Sequence, residues 1–408
     1  MARAETTSRT RPHTPLVIFI LGAMTAIGPL SIDTYLPALP QLARDLSTGP
    51  SQAQLTLSAC LFGLGLGQVI TGPLSDSLGR KVPLVLGLAG YALASMLCAL
   101  APSVTALTIL RAVQGATGAA GVVIANAIVR DLHSGAAAAR FFSTLMLVTG
   151  LAPILAPILG AQILQLGSWR AVFVVLAVVG ALLALAVSFG LQETLPLGRR
   201  KPLGIGRTLA TFARLVRDPV FAGYALANGL CTAGMFAYIS GYPFVIQGIY
   251  GLSPQAFSLM FGLNAVGLIA LSQLNGRLVE RYSPQRLLQT AMVVSLLAAA
   301  ALAISVWLDL GLLGVVLPVL VFISSLGVIN PNTAALALSG HPEAAGSASA
   351  LLGLARFLLG SLTSPLVGVA GPDTAVPFAL VITACVLLAS IAVAMTSGQR
   401  ALAREQHM

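Results

Sequence analysis

Three charged side chains stand inside long apolar runs of this sequence, and each is a candidate for chemistry: Asp33, Arg111 and Arg356. Asp33 is the only carboxylate within an apolar run of the N-terminal half. A charge near the centre of a bilayer costs about 2.5–3.5 kcal/mol on insertion scales, so such a residue usually faces a cavity and has a task. A carboxylate balanced between burial and a nearby cation can take and release a proton near neutral pH. Arg111 stays protonated at any relevant pH and is expected to avoid lipid. Gln114 and Gly115, at i+3 and i+4, share its helical face. Its functional readings are a partner for Asp33 and a substrate contact; the structural reading is a snorkelling arginine. Arg356 is either a substrate contact or a clamp on backbone carbonyls. Asp33 has a bland reading too. From Pro15 to Asp33 is a rise of roughly 27 Å along a helix, enough to leave Asp33 at the membrane interface. Tyr35, Phe236, Tyr238, Tyr242, Asn126 and Asn330 complete a set of candidate cavity residues, an apolar lining with a few polar groups. Taken alone, each of them reads first as a packing residue.

Other chemistry is excluded. Cys60, Cys98, Cys231 and Cys385 lie far apart in apolar runs, with no CxxC pair. The four histidines lie in polar segments without HxxxH spacing, so no metal site is expected. No constellation of nucleophile and base marks an enzyme. No Gly-x4-Gly-Lys loop binds ATP, and no cofactor is expected. Energy for work must then come from an ion gradient, in which one charge crossing 100 mV is worth about 2.3 kcal/mol.

The elements that position these residues follow from composition. The chain has 408 residues, 57% apolar and 8% charged, with a mean hydropathy of +0.93. A soluble domain carries about 25% charged residues, so one water-soluble globule is ruled out, and so is disorder. The apolar runs are near twenty residues long, which fits membrane helices and not the short alternating strands of a barrel. Twelve spans are read: 15–37, 53–73, 83–101, 104–129, 139–166, 170–191, 219–247, 255–275, 287–307, 312–338, 347–369 and 375–396. Of 22 Lys and Arg residues, 18 fall in the tails and even-numbered turns, and only Arg44 and Arg170 fall on the other side. That bias places both termini in the cytoplasm. It also accounts for the net charge of +10 without nucleic acid, since the basic residues are scattered over separate loops. The N-terminal run continues through Ser31 to Pro37 without a small-residue cleavage site, so it is read as the first span rather than a signal peptide.

The polar stretch 192–218 divides the spans six and six. The expected organisation is a tail (1–14), a six-helix bundle (15–191), a central loop (192–218), a second bundle (219–396) and a tail (397–408). An internal repeat supports it: in the segment from Gly72 through Gly79 and Arg80, the glycine, leucine and acid Gly72, Leu74 and Asp76 recur as Gly276, Leu278 and Glu280, and 276 − 72 = 204 is half of 408. The acid of the first copy can pair with Arg80 or bond a helix N-terminus, latching the halves, and its glycine allows close helix approach. Gly346, Gly353 and Gly360 in span 11, and Gly63 and Gly67 in span 2, are expected to be packing stripes.

The segment Gly72 to Leu84 resembles the loop signature of the major facilitator superfamily. Arg111 to Gly118 is similar to that superfamily's RxxQG motif. Gly150, Pro153, Pro157 and Gly160 resemble its antiporter motif, with Ala156-Pro157 and Gly160-Ala161 standing where the family has GPxxGG. Leu30 to Pro40 is similar to the first-span signature of the bicyclomycin-resistance branch of drug:proton antiporters. The likeness continues through Val129-Arg130-Asp131-Leu132, Gln192 to Pro196, Gly234-Met235-Phe236 and Arg356-Phe357. The resemblance implies an all-α membrane protein of two six-helix bundles in a bacterial cytoplasmic membrane, acting as a monomer. It implies export of small-molecule drugs by alternating access, with the proton as coupling ion and Asp33 in the central cavity. Export of an amino acid, short peptide or other metabolite is the alternative, and two arginines against one aspartate would suit a carboxylate-bearing cargo.

Overall fold

The structure is a computed structural model that describes residues 14–133, 135–200 and 205–405. Arg3, Arg9, Arg11 and Lys201, which entered the charge count, lie outside the described residues. Among the described residues, twelve helices are long and apolar enough to cross a membrane. They are α1 (Thr14–Asp33), α3 (Pro50–Leu78), α4 (Lys81–Ala99), α5 (Val104–Leu132), α6 (Gly135–Leu166) and α7 (Trp169–Gly190) in the first half. The second half holds α9 (Pro219–Pro243), α10 (Pro254–Leu278), α11 (Pro284–Trp307), α12 (Gly311–Leu338), α13 (Ala345–Thr363) and α14 (Val376–Glu405). Short helices α2 (Leu39–Asp45) and α8 (Ile205–Arg217) connect them. The starts are chemically marked. Ser103, Ser168, Asp218, Ser253 and Ser283 each accept a bond from a first-turn N–H, and Pro50, Pro219, Pro254 and Pro284 occupy the first helical position.

Each half packs around one tight helix pair. In the first, Gly63 and Gly67 of α3 lie against the Ala112 and Ala116 carbonyls of α5, and Gly115 lies against the Cys60 carbonyl. A side chain at any of the three would strike backbone, so glycine is required there. In the second, Gly327 of α12 lies against the Leu268 carbonyl of α10. Gly267, at 267 − 63 = 204 residues after Gly63, faces Ser324 of the same partner helix. The repeat is thus a repeat of packing. The outer surface is apolar, with Phe19, Leu166, Phe189 and Trp307 each more than 70% exposed, as a bilayer and not water requires. This is a multi-pass membrane protein.

Four expectations need correction. The first span does not run as one helix to Pro37. α1 stops at Asp33, a turn and a short 3-10 segment (Leu36–Ala38) follow, and α2 begins at Leu39. Pro37 and Pro40 have no N–H to give to the Asp33 and Leu36 carbonyls, four residues back, so the α-helical ladder is interrupted here. The central loop is not irregular throughout: Phe212 and Leu215, three apart on α8, are buried against the bundle and hold a helix at the membrane face. The glycines of span 11 do not share one neighbour, since Gly353 faces Gln68, Gly360 faces the Phe236 ring and Gly346 faces open space. Gly72 likewise has no atom near the place of its missing side chain, so its expected close helix contact is absent.

Candidate functional site

The two bundles are hydrogen-bonded to each other at the end remote from the chain termini, and side-chain packing between them continues deeper. Among the described residues, five hydrogen bonds cross between them. Ser51 Oγ donates to the Pro365 carbonyl (2.9 Å), Gln54 Nε2 to Ser240 (3.3 Å), Gln247 Nε2 to Pro37 (3.3 Å), Gln255 Nε2 to Ala161 (3.4 Å) and Ser258 Oγ to Pro157 (2.9 Å). All lie at or near the ends of α1, α6, α9 and α13 and the starts of α3 and α10. Deeper in, Phe357 of α13 packs on Gly65 of α3. The seam is therefore shut at one face, and among the described residues no hydrogen bond joins the bundles nearer the termini.

Asp33 ends α1 at this seam. It is 5% exposed, and among the described residues it forms no ion pair. Its neighbourhood is crowded backbone: the following carbonyl, Thr34, lies against Gly160 of α6, where any side chain would collide. Across the seam, Asp33 lies within electrostatic range of the Tyr238 hydroxyl. Tyr238 is itself buried, accepts from Asn264 Nδ2 (2.9 Å) and stacks on Phe261.

Arg111 occupies a different place. Its guanidinium is fully buried inside the first bundle, where Nη1 donates to the Ser31 carbonyl (3.0 Å) and to Gln114 Oε1 (2.5 Å). It lies over the rings of Tyr35 (4.9 Å) and Phe173 (5.5 Å), contacts that stabilise a desolvated cation. Gln114 passes the link on to Ser95 (2.7 Å), and Tyr35 bonds Thr56 (2.5 Å). Arg111, Gln114 and Tyr35 thus clamp α1, α3, α4, α5 and α7 together. They do not pair with Asp33, and the expected Asp33–Arg111 contact is absent in this conformation.

A second polar cluster lies nearer the face of the termini, in the second bundle. Arg356 Nε donates to Asn228 Oδ1 (2.5 Å). Asn228 Nδ2 donates to Thr333 Oγ1 (2.7 Å) and reaches the Asn330 carbonyl and side chain (3.4 Å each). Arg356 is half-buried, and no carboxylate among the described residues pairs with it. Asn126 is half-buried on α5 and donates to the Val122 carbonyl of its own helix. Phe236 is buried between Gly360 and Phe357. Sequence reasoning missed Asn228, Asn264 and Thr333, and the seam donors. A lone amide or hydroxyl in an apolar run was the available signal, and it is shared by many residues without such a place.

The loop motif forms an ion network, but within the first bundle. Arg80 donates to Asp131 (2.8 Å) and Asp76 (2.5 Å) and bonds Ser75 (2.9 Å). Glu193 accepts from the backbone N–H of Arg80, Lys81 and Leu195. Burial pushes the Glu193 carboxyl up, but those N–H donors and the nearby Arg200 outweigh it and hold the carboxyl below its ordinary range. A recess of about 400 Å³ lies between Asp76, Arg80, Asp131 and Leu195. The network ties α3, α5 and the start of the central loop. It does not latch one half to the other, as the sequence had suggested. Its counterpart fails to form: Glu280 is exposed without an ion pair among the described residues, and Gly276 faces open space. In the antiporter motif, Pro157 contributes its carbonyl to the seam, and Gly150 lies near Ile269 of α10. Pro153 and Pro157 both lie inside α6.

A family model described as Major Facilitator Superfamily matches residues 18–365. A Bacillus subtilis protein named uncharacterized MFS-type transporter YdgK is 43% identical over 92% of this chain and 93% of its own length. The bicyclomycin resistance protein homolog of Haemophilus influenzae is 35% identical, over 92% and 95%. A chloramphenicol resistance protein of Pseudomonas aeruginosa is 29% identical, over 94% and 90%. Among solved structures, a bacterial homolog of the human lysosomal transporter Spinster, in an inward-facing and occupied conformation, superposes with a TM-score of 0.76. It shares 18% identity over 95% of this chain and 97% of its own, so it speaks to the fold alone. With twelve spans in two packed repeats, and relatives matched nearly end to end, the chain belongs to the Major Facilitator Superfamily, a transporter and not an enzyme.

Proposed function

We propose that this chain exports small antibiotics of the bicyclomycin or phenicol type across the cytoplasmic membrane of a bacterium in exchange for protons. Both termini lie in the cytoplasm, so the shut seam faces outward. The observation that carries the reading is Asp33: a buried carboxyl at the outer seam with no cation beside it. Sealing an ionised carboxylate into such a seam is costly unless it is paired. The closed seam therefore favours Asp33 carrying its proton, and loss of the proton favours opening.

That linkage gives antiport. A proton taken from outside lets the outer seam close, turning the cavity inward. The proton leaves to the cytoplasm, drug enters from the same side, and the ionised Asp33 drives the seam open outward. Drug and proton then move in opposite directions in each cycle. The names of the Haemophilus and Pseudomonas relatives support the substrate class. Arg356, held by Asn228 and without a carboxylate, offers donors to carbonyl or hydroxyl oxygens of the drug.

The test is a susceptibility panel in a drug-hypersensitive bacterial host, with bicyclomycin and phenicols included, paired with uptake into inverted vesicles. Resistance and uncoupler-sensitive uptake by the wild type, both lost in Asp33→Asn, are expected. Full export by Asp33→Asn refutes the coupling role. Secretion of amino acids or peptides without any change in drug susceptibility refutes the substrate class.

A further inference from the structure

Helices α10 and α11 both pack on α12, and the wedge between them is open. It holds a groove of about 550 Å³, floored by Ser325 and Val328 of α12. One wall carries Arg286, Gln289 and Thr290 of α11. They are spaced i, i+3 and i+4, so they form one stripe on the helix. All three are exposed, and among the described residues none of the three side chains makes a hydrogen bond or ion pair. Beyond Thr290 the wall turns apolar with Val294, faced by Leu271 of α10. Val293 and Leu297, neighbouring positions on α11, are 58% and 66% exposed, so the wall continues onto the lipid-facing surface.

An uncommitted glutamine and threonine on a lipid-facing wall need acceptors, because hydrocarbon offers none. The depth says which acceptors. From Arg286, Gln289 and Thr290 lie about 4.5 and 6 Å further along the helix axis. The polar layer on each side of a bilayer is about 5–7 Å thick. Arg286 thus stands at phosphate level when Gln289 and Thr290 stand at the level of the ester carbonyls. The adjoining turn adds Arg277 and Arg281 against a single acid, Glu280. This excess of positive charge complements an anionic headgroup.

We propose that this groove is a binding site for one anionic glycerophospholipid of the leaflet on the side of the termini. Its phosphate sits on Arg286, its ester carbonyls accept from Gln289 and Thr290, and one acyl chain fills the groove along Leu271, Val294 and Val328. The site is separate from Asp33 and the seam, and stands or falls without the transport reading.

Native mass spectrometry of the full chain in detergent, titrated with phosphatidylglycerol, phosphatidylcholine or glycerol 3-phosphate, tests it. The wild type is expected to bind phosphatidylglycerol more tightly than phosphatidylcholine. Arg286→Ala should weaken phosphatidylglycerol about fivefold, the weight of one arginine at an anionic surface, and leave phosphatidylcholine unchanged. Arg286→Lys should keep the preference. Val294→Trp, which fills the groove at an exposed wall and leaves the headgroup contacts, should abolish the tight site. Glycerol 3-phosphate should not compete. Equal binding of the two lipids by the wild type, or no effect of Arg286→Ala or Val294→Trp, overturns the proposal. Displacement of lipid by glycerol 3-phosphate overturns it in favour of a free-phosphate site.

Discussion

Replacing Asp33 by asparagine separates its charge from its shape. The variant keeps a side chain of the same size at the end of α1, so the seam still closes, but it can no longer ionise there. The magnitude follows from where Asp33 lies. A charge buried without a partner costs about 3–5 kcal/mol. That is a bias of about 160- to 4,600-fold between open and shut seams when Asp33 ionises. The assay reads the seam directly. The native cysteines, Cys60, Cys98, Cys231 and Cys385, are all buried, so the background for thiol labelling is low. Ala161→Cys puts a thiol in the seam at a position 1% exposed and leaves the Ala161 carbonyl, which accepts from Gln255, in place. With Asp33 present, its labelling by a membrane-impermeant maleimide should rise as the pH rises, because ionisation of Asp33 opens the seam. With Asp33→Asn the rate should stay low throughout, after correction for the reagent's own pH dependence. Undiminished pH dependence in the asparagine variant would falsify the linkage between this proton and the seam.

Arg80→Ala should lower thermal stability by about 3–5 kcal/mol, because it strands the buried Asp131 carboxylate; the half-exposed Asp76 adds little. A melting temperature in detergent within a degree of the wild type would contradict this. Gly63→Ala should cost at least about 1–3 kcal/mol through collision with the Ala112 carbonyl, while Gly72→Ala, which meets nothing, should be silent; parallel melting curves decide. Arg111→Lys loses a guanidinium stacked on two rings, worth about 2 kcal/mol when desolvated, so stability should fall. Unchanged stability with lost drug binding would instead make Arg111 a cavity residue. Glu193 contributes stability that is present above the ordinary carboxylate range and lost as pH falls through its lowered value. The melting difference between wild type and Glu193→Gln should therefore vanish in strong acid, and a pH-independent difference would rule out the carboxylate as its source.

Much of the fold was legible because membrane spans are written in composition. Runs of about twenty apolar residues and the asymmetry of Lys and Arg yield span number and grouping without tertiary knowledge. The 204-residue offset read from Gly72 and Gly276 pointed to a true repeat, although those two glycines contact nothing. The repeat is realised at Gly63 and Gly267 instead. Side-chain roles were less legible. Arg111 and Asp33 both break apolar runs, so both read as intramembrane charges, yet one is buried within a bundle and the other lies between bundles. Periodicity reports which residues share a helix face but not which neighbour that face meets. Asn228 and Thr333 were invisible for the opposite reason: each is an ordinary polar residue until Arg356 joins them. The break after Asp33 was within reach, since Pro37 and Pro40 announce it.

All five bonds across the seam pair a side-chain donor with a main-chain carbonyl. Among the described residues no ion pair takes part, so ionic strength, which weakens exposed charge pairs, should leave the seam untouched. The acceptors belong to the backbone and no codon change removes them. The donors are three glutamines and two serines, each worth about 1 kcal/mol. The tightness of this gate can therefore be set in small, nearly independent steps by single substitutions at Ser51, Gln54, Gln247, Gln255 or Ser258. An exporter facing a new toxin has in these five positions a graded control over how long it stays shut, separate from what it recognises.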